Sequence, residues 1–155
     1  MRTLAILAVA SGVLATTPIS SALAQSHEEQ KMFTPQDIKW SAAPPSLPAG
    51  AEVALLHGDA AKEGLFALRL KVPKGYRVPP HTHPRPEIGT VLSGTVRLGM
   101  GEKEYVFPPG SFYATPPGMV HQFVADDEAV VQVNSTGPWG ISYVNPKDDP
   151  RQKSQ

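Results

Sequence analysis

The chain has 155 residues, 41% of them hydrophobic, with no cysteine and with 14 basic against 14 acidic side chains. That length and apolar content suit one domain with a core, and the balanced charge gives no basic face for nucleic acid and no field to steer a charged polymer. Without cysteine there are no disulfides and no thiolate nucleophile or ligand, so site chemistry must use nitrogen and oxygen, and the expected partner is a small molecule.

Residues 1–24 read as a secretory leader. Arg2 is the positive start, LAILAVASGVLA from Leu4 to Ala15 is the apolar run, and Ala22-Leu23-Ala24 is a small-x-small cleavage pattern. The run falls short of the about 20 apolar residues that span a bilayer. An exported protein, periplasmic or secreted and with no membrane contact in its mature form, is expected. Residues 25–50 read as an N-terminal arm: HEEQKMFTPQDIKW, then the strap SAAPPSLPAG, whose prolines disfavour helix and central strand. FTPQDIKW is expected as an extended strand that could add to a neighbouring copy's sheet edge in a homodimer.

From residue 51 to 145 the pattern is of short strands. VALLH ends at a Gly-Asp turn, and GLFALRLKV alternates, with Phe66, Leu68, Leu70 and Val72 on one face and Arg69 and Lys71 on the other. GTVRLGM groups Val96, Leu98 and Met100, EKEYVF groups Tyr105 and Phe107, and AVVQVNS groups Val131 and Val133. Runs this short, bounded by Gly, Pro, Asp or Asn, predict an all-β barrel or sandwich. Residues 146–155 are expected as a solvated tail.

Within this domain, GYRVPPHTHPRPEIGTVLSG (75–94) crowds two histidines and a glutamate among prolines. Residues two apart on a strand share a face, so His81 and His83 point the same way, and Glu87, an even step further, can join them. Pro84 and Pro86 remove ladder donors and predict a bulge or bend between. Two imidazoles and a carboxylate converging on one point suit a metal ion.

The spacing Gly75-x5-His81-x-His83-x3-Glu87-x6-Gly94, followed by Gly110-x5-Pro116-x-Gly118-x2-His121, resembles the two signature motifs of the cupin superfamily of small metal-binding β-barrels. The departure is Ala125, where the second motif often ends in Asn. The resemblance implies a single jelly-roll-like barrel of two antiparallel sheets and a homodimer. It also implies a divalent transition metal, Fe, Mn, Ni, Cu or Zn, held by His81, His83, Glu87 and His121. Four N/O ligands on a six-coordinate ion leave positions open for water or substrate.

Other candidates carry less. His57 precedes a turn and is expected to be exposed, and His27 lies in the arm. Arg85 is a loop arginine that could meet an anionic substrate, though solvent is its ordinary environment. Trp40 and Trp139 are expected to close an edge or meet a partner. Phe66, Leu68, Val91, Leu98, Phe123 and Val133 should face inward, and Tyr105, Tyr113 and Tyr143 are candidate proton carriers. The function expected is a metal-dependent oxidoreductase of dioxygenase type acting on a small organic molecule. The alternatives are a non-redox lyase, isomerase or hydrolase using Glu87 or a metal-bound hydroxide as base, and a non-catalytic ligand-binding module.

Overall fold

Alternating apolar residues in short runs favour strands that bury one face, and eleven strands, most of them of this kind, are present among residues 30–152, the residues described by the protein's structure, a computed structural model. The leader and His27 lie outside them. In chain order the strands are β1 (Ser41–Ala42), β2 (Glu52–His57), β3 (Gly64–Val72), β4 (Arg77–Thr82), β5 (Glu87–Ser93), β6 (Val96–Met100), β7 (Lys103–Phe107), β8 (Phe112–Thr115), β9 (His121–Ala125), β10 (Ala129–Gly137) and β11 (Ser142–Tyr143). They form two antiparallel sheets, six-stranded in the order β1-β2-β3-β10-β5-β8 and five-stranded in the order β11-β4-β9-β6-β7. The all-β, two-sheet expectation is met.

The core lies between the sheets. The longest pairing joins β3 to β10 along their whole lengths, from Ala129 opposite Val72 to Gly137 opposite Gly64. Along β10 every second residue is buried, from Ala129 through Val131 and Val133 to Gly137. Of the six residues expected inside, Phe66, Val91, Leu98, Phe123 and Val133 are buried, and Leu68 packs partly buried against them. Each such side chain fully removed from water contributes roughly 1.5–3 kcal/mol. The β7 pair is less buried than its alternation suggests, with Tyr105 44% exposed, because β7 is an edge strand.

Two segments differ from the sequence expectation. FTPQDIKW is not a strand: Pro35–Asp37 is a 3-10 turn, closed by Asp37 N–H on Thr34 O and by Thr34 N–H on Asp37 Oδ2, 2.8 Å. Proline at the first helical position loses no needed donor, and Thr34 with an acidic residue three on is a turn-start signal that outweighs alternation. The strand pairing in this region is Ser41–Ala42 on β2 of the same chain. At the other end, 146–152 folds into two 3-10 turns, and Arg151 donates to Ile141 O at 3.3 Å, so this stretch is tied to the barrel.

Candidate metal centre

Three strands deliver four side chains to one point. His81 lies near the end of β4, His83 just beyond it, and Glu87 and His121 open β5 and β9. β4 and β9 are antiparallel neighbours in which His81 and His121 are direct partners, with ring centroids 4.2 Å apart. The chain bends at Pro84 and Arg85, as the prolines predict, and this turns Glu87 back onto the other sheet.

A second irregularity has no counterpart in the sequence expectation. The β4–β9 register shifts between Val78 and His81, at Pro79-Pro80. Upstream, the even positions Tyr76 and Val78 are buried; downstream, the odd positions His81 and His83 are. The inserted residue of the bulge changes which parity faces inward. Without it, the histidines would point away from the core. The adjacent Pro79-Pro80 pair is the sequence signal for it, since neither residue can donate to the ladder.

The second motif closes the site. Gly118 N–H donates to His83 O at 2.9 Å, joining the Pro116–Gly118 turn to the bend after β4. Gly118 has φ +74, a conformation in which a side chain would be strained. Ala125, where the family motif often has Asn, is fully buried, its backbone bonded to Gly75 and Tyr76, so a methyl fits where an amide would need a partner.

All four clustered side chains are buried, and their ligand atoms lie within 4.8 Å of one another, little more than two metal–ligand bonds of about 2.1 Å. Each imidazole is held from behind by a carbonyl: His81 Nδ1–H on Pro79 O at 2.7 Å, His83 Nδ1–H on Gly140 O at 2.6 Å, His121 Nδ1–H on Met119 O at 3.1 Å. A carbonyl can only accept, so these bonds place the proton on Nδ1 and leave Nε2 as the lone-pair atom. Glu87 Oε2 is 3.0 Å from His83 Nε2 and 3.2 Å from His121 Nε2. Acceptors facing one another at such distances need a proton or a metal cation between them. Three imidazole nitrogens and a carboxylate oxygen, with backbone carbonyls orienting the rings, fit a divalent first-row metal.

The electrostatics agree. Burial lowers the His81 pKa to about 4, with nearby His121 adding to the effect, so this ring is neutral at pH 7. Burial pushes Glu87 up, but hydrogen bonds and charge from His121 and His83 outweigh it and hold the carboxylate below its ordinary range. Burial lowers His121 and the Glu87 carboxylate overrides it, for a net rise.

The cluster opens into a cavity of about 440 Å³ lined by Leu68, Leu98, Phe123, Val131, Ile141 and Trp139 among others. The strap forms part of its wall through Pro44, Ser46 and Leu47, and is pinned by Tyr143 OH on Ser46 O and Tyr76 OH on Pro48 O, both 2.8 Å. Of the tyrosine candidates, Tyr113 reaches the cluster, donating to Glu87 Oε1 at 2.8 Å, and burial raises its pKa well above 10. Tyr143 is committed to the strap, and Tyr105 lies on an edge strand of the opposite sheet from Glu87.

Trp139 differs from its expected role. It stacks on His83, with ring centroids 4.1 Å apart and planes 9° apart, and its indole nitrogen is buried without a hydrogen-bond partner. Trp40 keeps to the edge reading, beneath Lys71 Nζ at 4.8 Å. His57 is half-buried rather than exposed, and Arg85 is exposed.

Residues 68–135 match the cupin domain family, and no curated protein matches the chain. In fold the chain is similar to the polyketide cyclase RemF from Streptomyces resistomycificus, at a TM-score of 0.67 and 19% identity over 82% of this chain and 94% of that one. It is similar to a proposed acetylacetone dioxygenase from Methylibium petroleiphilum PM1 (TM-score 0.62, 16% identity, 79% and 87% covered). A cupin-superfamily sugar phosphate isomerase from Silicibacter pomeroyi DSS-3 is a third (0.58, 23%, 74% and 82%). At these identities the likeness is one of fold, and the named activities diverge. With the two motifs, the two-sheet barrel and the family match in agreement, the chain carries a cupin domain over residues 68–135.

Proposed function

We propose that the protein is a metal-dependent oxidoreductase of dioxygenase type, acting on a small, uncharged and largely apolar organic molecule, with His81, His83, Glu87 and His121 as the metal ligands. The observation that carries this reading is the lack of a free acid–base group at the cavity. Among the described lining residues, the ionisable side chains are the cluster itself, Tyr113 and Asp59. Glu87 has both oxygens engaged, and Asp59 accepts from Ala61 N–H and pairs with Lys62 Nζ at 3.1 Å. With these side chains engaged, a lyase or isomerase would be left with a metal-bound hydroxide as the base to move a proton on the substrate. A divalent redox metal, when bound, supplies Lewis acidity and access to dioxygen chemistry instead.

The chain's own part is to bind and to exclude water. Leu68, Leu98 and Phe123 offer apolar walls, and no lysine or arginine is among the described lining residues. Apart from the metal itself, a phosphate or carboxylate brought into this cavity would find no counter-charge in its walls. We also propose that it works outside the cytoplasm after cleavage following Ala24; an N-terminal mass from native material beginning at Gln25 is the expected result, and an intact Met1 would contradict it.

The test of the activity is to identify the metal in protein from its native source, reload the metal-free protein with Fe(II) and Mn(II) separately, and follow oxygen uptake with diketones, catechols and flavonols. Uptake that is lost in His121→Ala, together with the bound metal, is expected. Turnover without oxygen would move the function to the lyase or isomerase class, and tight binding without turnover to the ligand-binding class.

A further inference from the structure

The two oxygens of Glu87 face different partners. Oε2 lies 3.0 Å and 3.2 Å from the Nε2 atoms of His83 and His121, whereas Oε1 accepts a hydrogen bond from Tyr113 OH at 2.8 Å. Both Glu87 and Tyr113 are buried, so water does not compete for that bond.

Tyr113 reaches the carboxylate through a gap in the sheet. Glu87 and Gly89 share the inward face of β5, and Tyr113, on β8, is the direct cross-strand partner of Gly89. A Cβ at position 89 would lie 2.0 Å from Tyr113 Cζ and 2.4 Å from its hydroxyl oxygen. Gly89 is not among the glycines with positive φ, so the backbone does not require glycine there. The space occupied by the phenol does. Phe107 packs beside the same ring, 5.5 Å between centroids.

A carboxylate with both oxygens free can grip an ion with two, whereas one with an oxygen committed elsewhere offers the other. We propose that Tyr113 is a positioning residue of the metal centre, which restricts Glu87 to a single ligating oxygen, Oε2, and so keeps one further position on the ion available to substrate. The proposal depends on the metal cluster but on no particular reaction, so its test is separate from that of the dioxygenase reading.

Tyr113→Phe keeps the ring against Gly89 and Phe107 and removes only the hydroxyl. With Mn(II) as the probe, the water-proton relaxation enhancement per bound ion reports the waters the ion carries. The expected result is a weaker enhancement in Tyr113→Phe at equal manganese content, as the second oxygen of Glu87 takes a position that water holds in the wild type. An unchanged enhancement at full manganese content would overturn the proposal, because loss of packing alone does not remove a ligand water. A second measurement uses the wild-type protein and covers the case in which the variant does not fold. The difference infrared spectrum of cobalt-loaded against metal-free protein carrying ¹³C-labelled glutamate reports the carboxylate stretches. A gap between them wider than in a free carboxylate signifies one-oxygen ligation and supports the proposal; a narrower gap signifies two-oxygen ligation and defeats it.

Discussion

Trp139 lies flat on His83 while the next residue, Gly140, accepts the hydrogen bond from His83 Nδ1–H, so one short loop braces this ring by face and by edge. Outer partners of this kind set the orientation of a metal-binding imidazole, and their loss costs roughly 10- to 100-fold in metal affinity. Trp139→Ala should fall at the lower end of that range, since the carbonyl remains, and should destabilise the protein by less than the about 3–5 kcal/mol of a fully buried tryptophan. Trp139→Phe is expected to be milder on both counts. It retains a ring, and it deletes an indole N–H that is buried without a partner, an arrangement that costs about 1–3 kcal/mol. Competitive metal titration and thermal melts of the two variants check this; wild-type affinity in the alanine variant would leave Gly140 O as the sole brace. Neither Trp139 nor Tyr113 could be assigned to the cluster from sequence, because each arrives across a strand pairing or from a loop far along the chain. The spacing of His81, His83 and Glu87, by contrast, is local, and local spacing translates directly into a shared face.

At the scale of elements, the motif glycines act through backbone geometry. Gly94, which ends the first motif, has φ +72, and a Cβ there would lie 2.3 Å from Glu128 O and 2.8 Å from Ala129 Cβ. It is the point where the β5–β6 turn passes the start of β10. Gly94→Ala combines left-handed strain with overpacking, and a loss of about 1–3 kcal/mol from either cause makes a lowered denaturation midpoint the expected readout. Most strands were legible because alternation is a period-2 signal that survives without tertiary context, as in β3, whose expected span and observed span coincide. Two elements were not legible, for opposite reasons. The bulge at Pro79-Pro80 is a matter of register, which depends on what β9 presents opposite. Around Pro35, local capping chemistry decided the structure, and the weak apolar pattern of FTPQDIKW pointed elsewhere.

For the whole molecule, metal binding at the proposed cluster would tie folding, protonation and ligation together, with pH dependences that differ in sign. In the metal-free protein His81 has a pKa lowered from 6.5 to about 4. Its contribution is therefore present above pH 6.5 and is lost as pH falls toward 4, because the unfolded chain then binds the extra proton. Glu87, also lowered, acts in the same direction below its ordinary 4.5. His121 is raised above 6.5, so its contribution is present below that pH and is lost as pH rises through its folded value. These groups together make the metal-free protein most stable near pH 6.5, where the His81 contribution is nearly complete and the His121 contribution is not yet lost, with a decline on the alkaline side from His121. A metal ion changes the alkaline limb. It must displace the His121 proton to bind, so protons compete with it at low pH, and that competition vanishes as pH rises. Since a ligand that binds only the folded state stabilises it in proportion to RT ln(1 + [L]/Kd), the gain in melting temperature on adding Mn(II) or Zn(II) should be small at pH 5.5 and larger at pH 8. In His121→Gln the proton in question is absent, and the part of this pH dependence above 6.5 should shrink along with the gain itself. Melts of metal-free and metal-loaded protein across that range decide the matter, and a gain independent of pH would mean that the added ion binds elsewhere than on these four side chains.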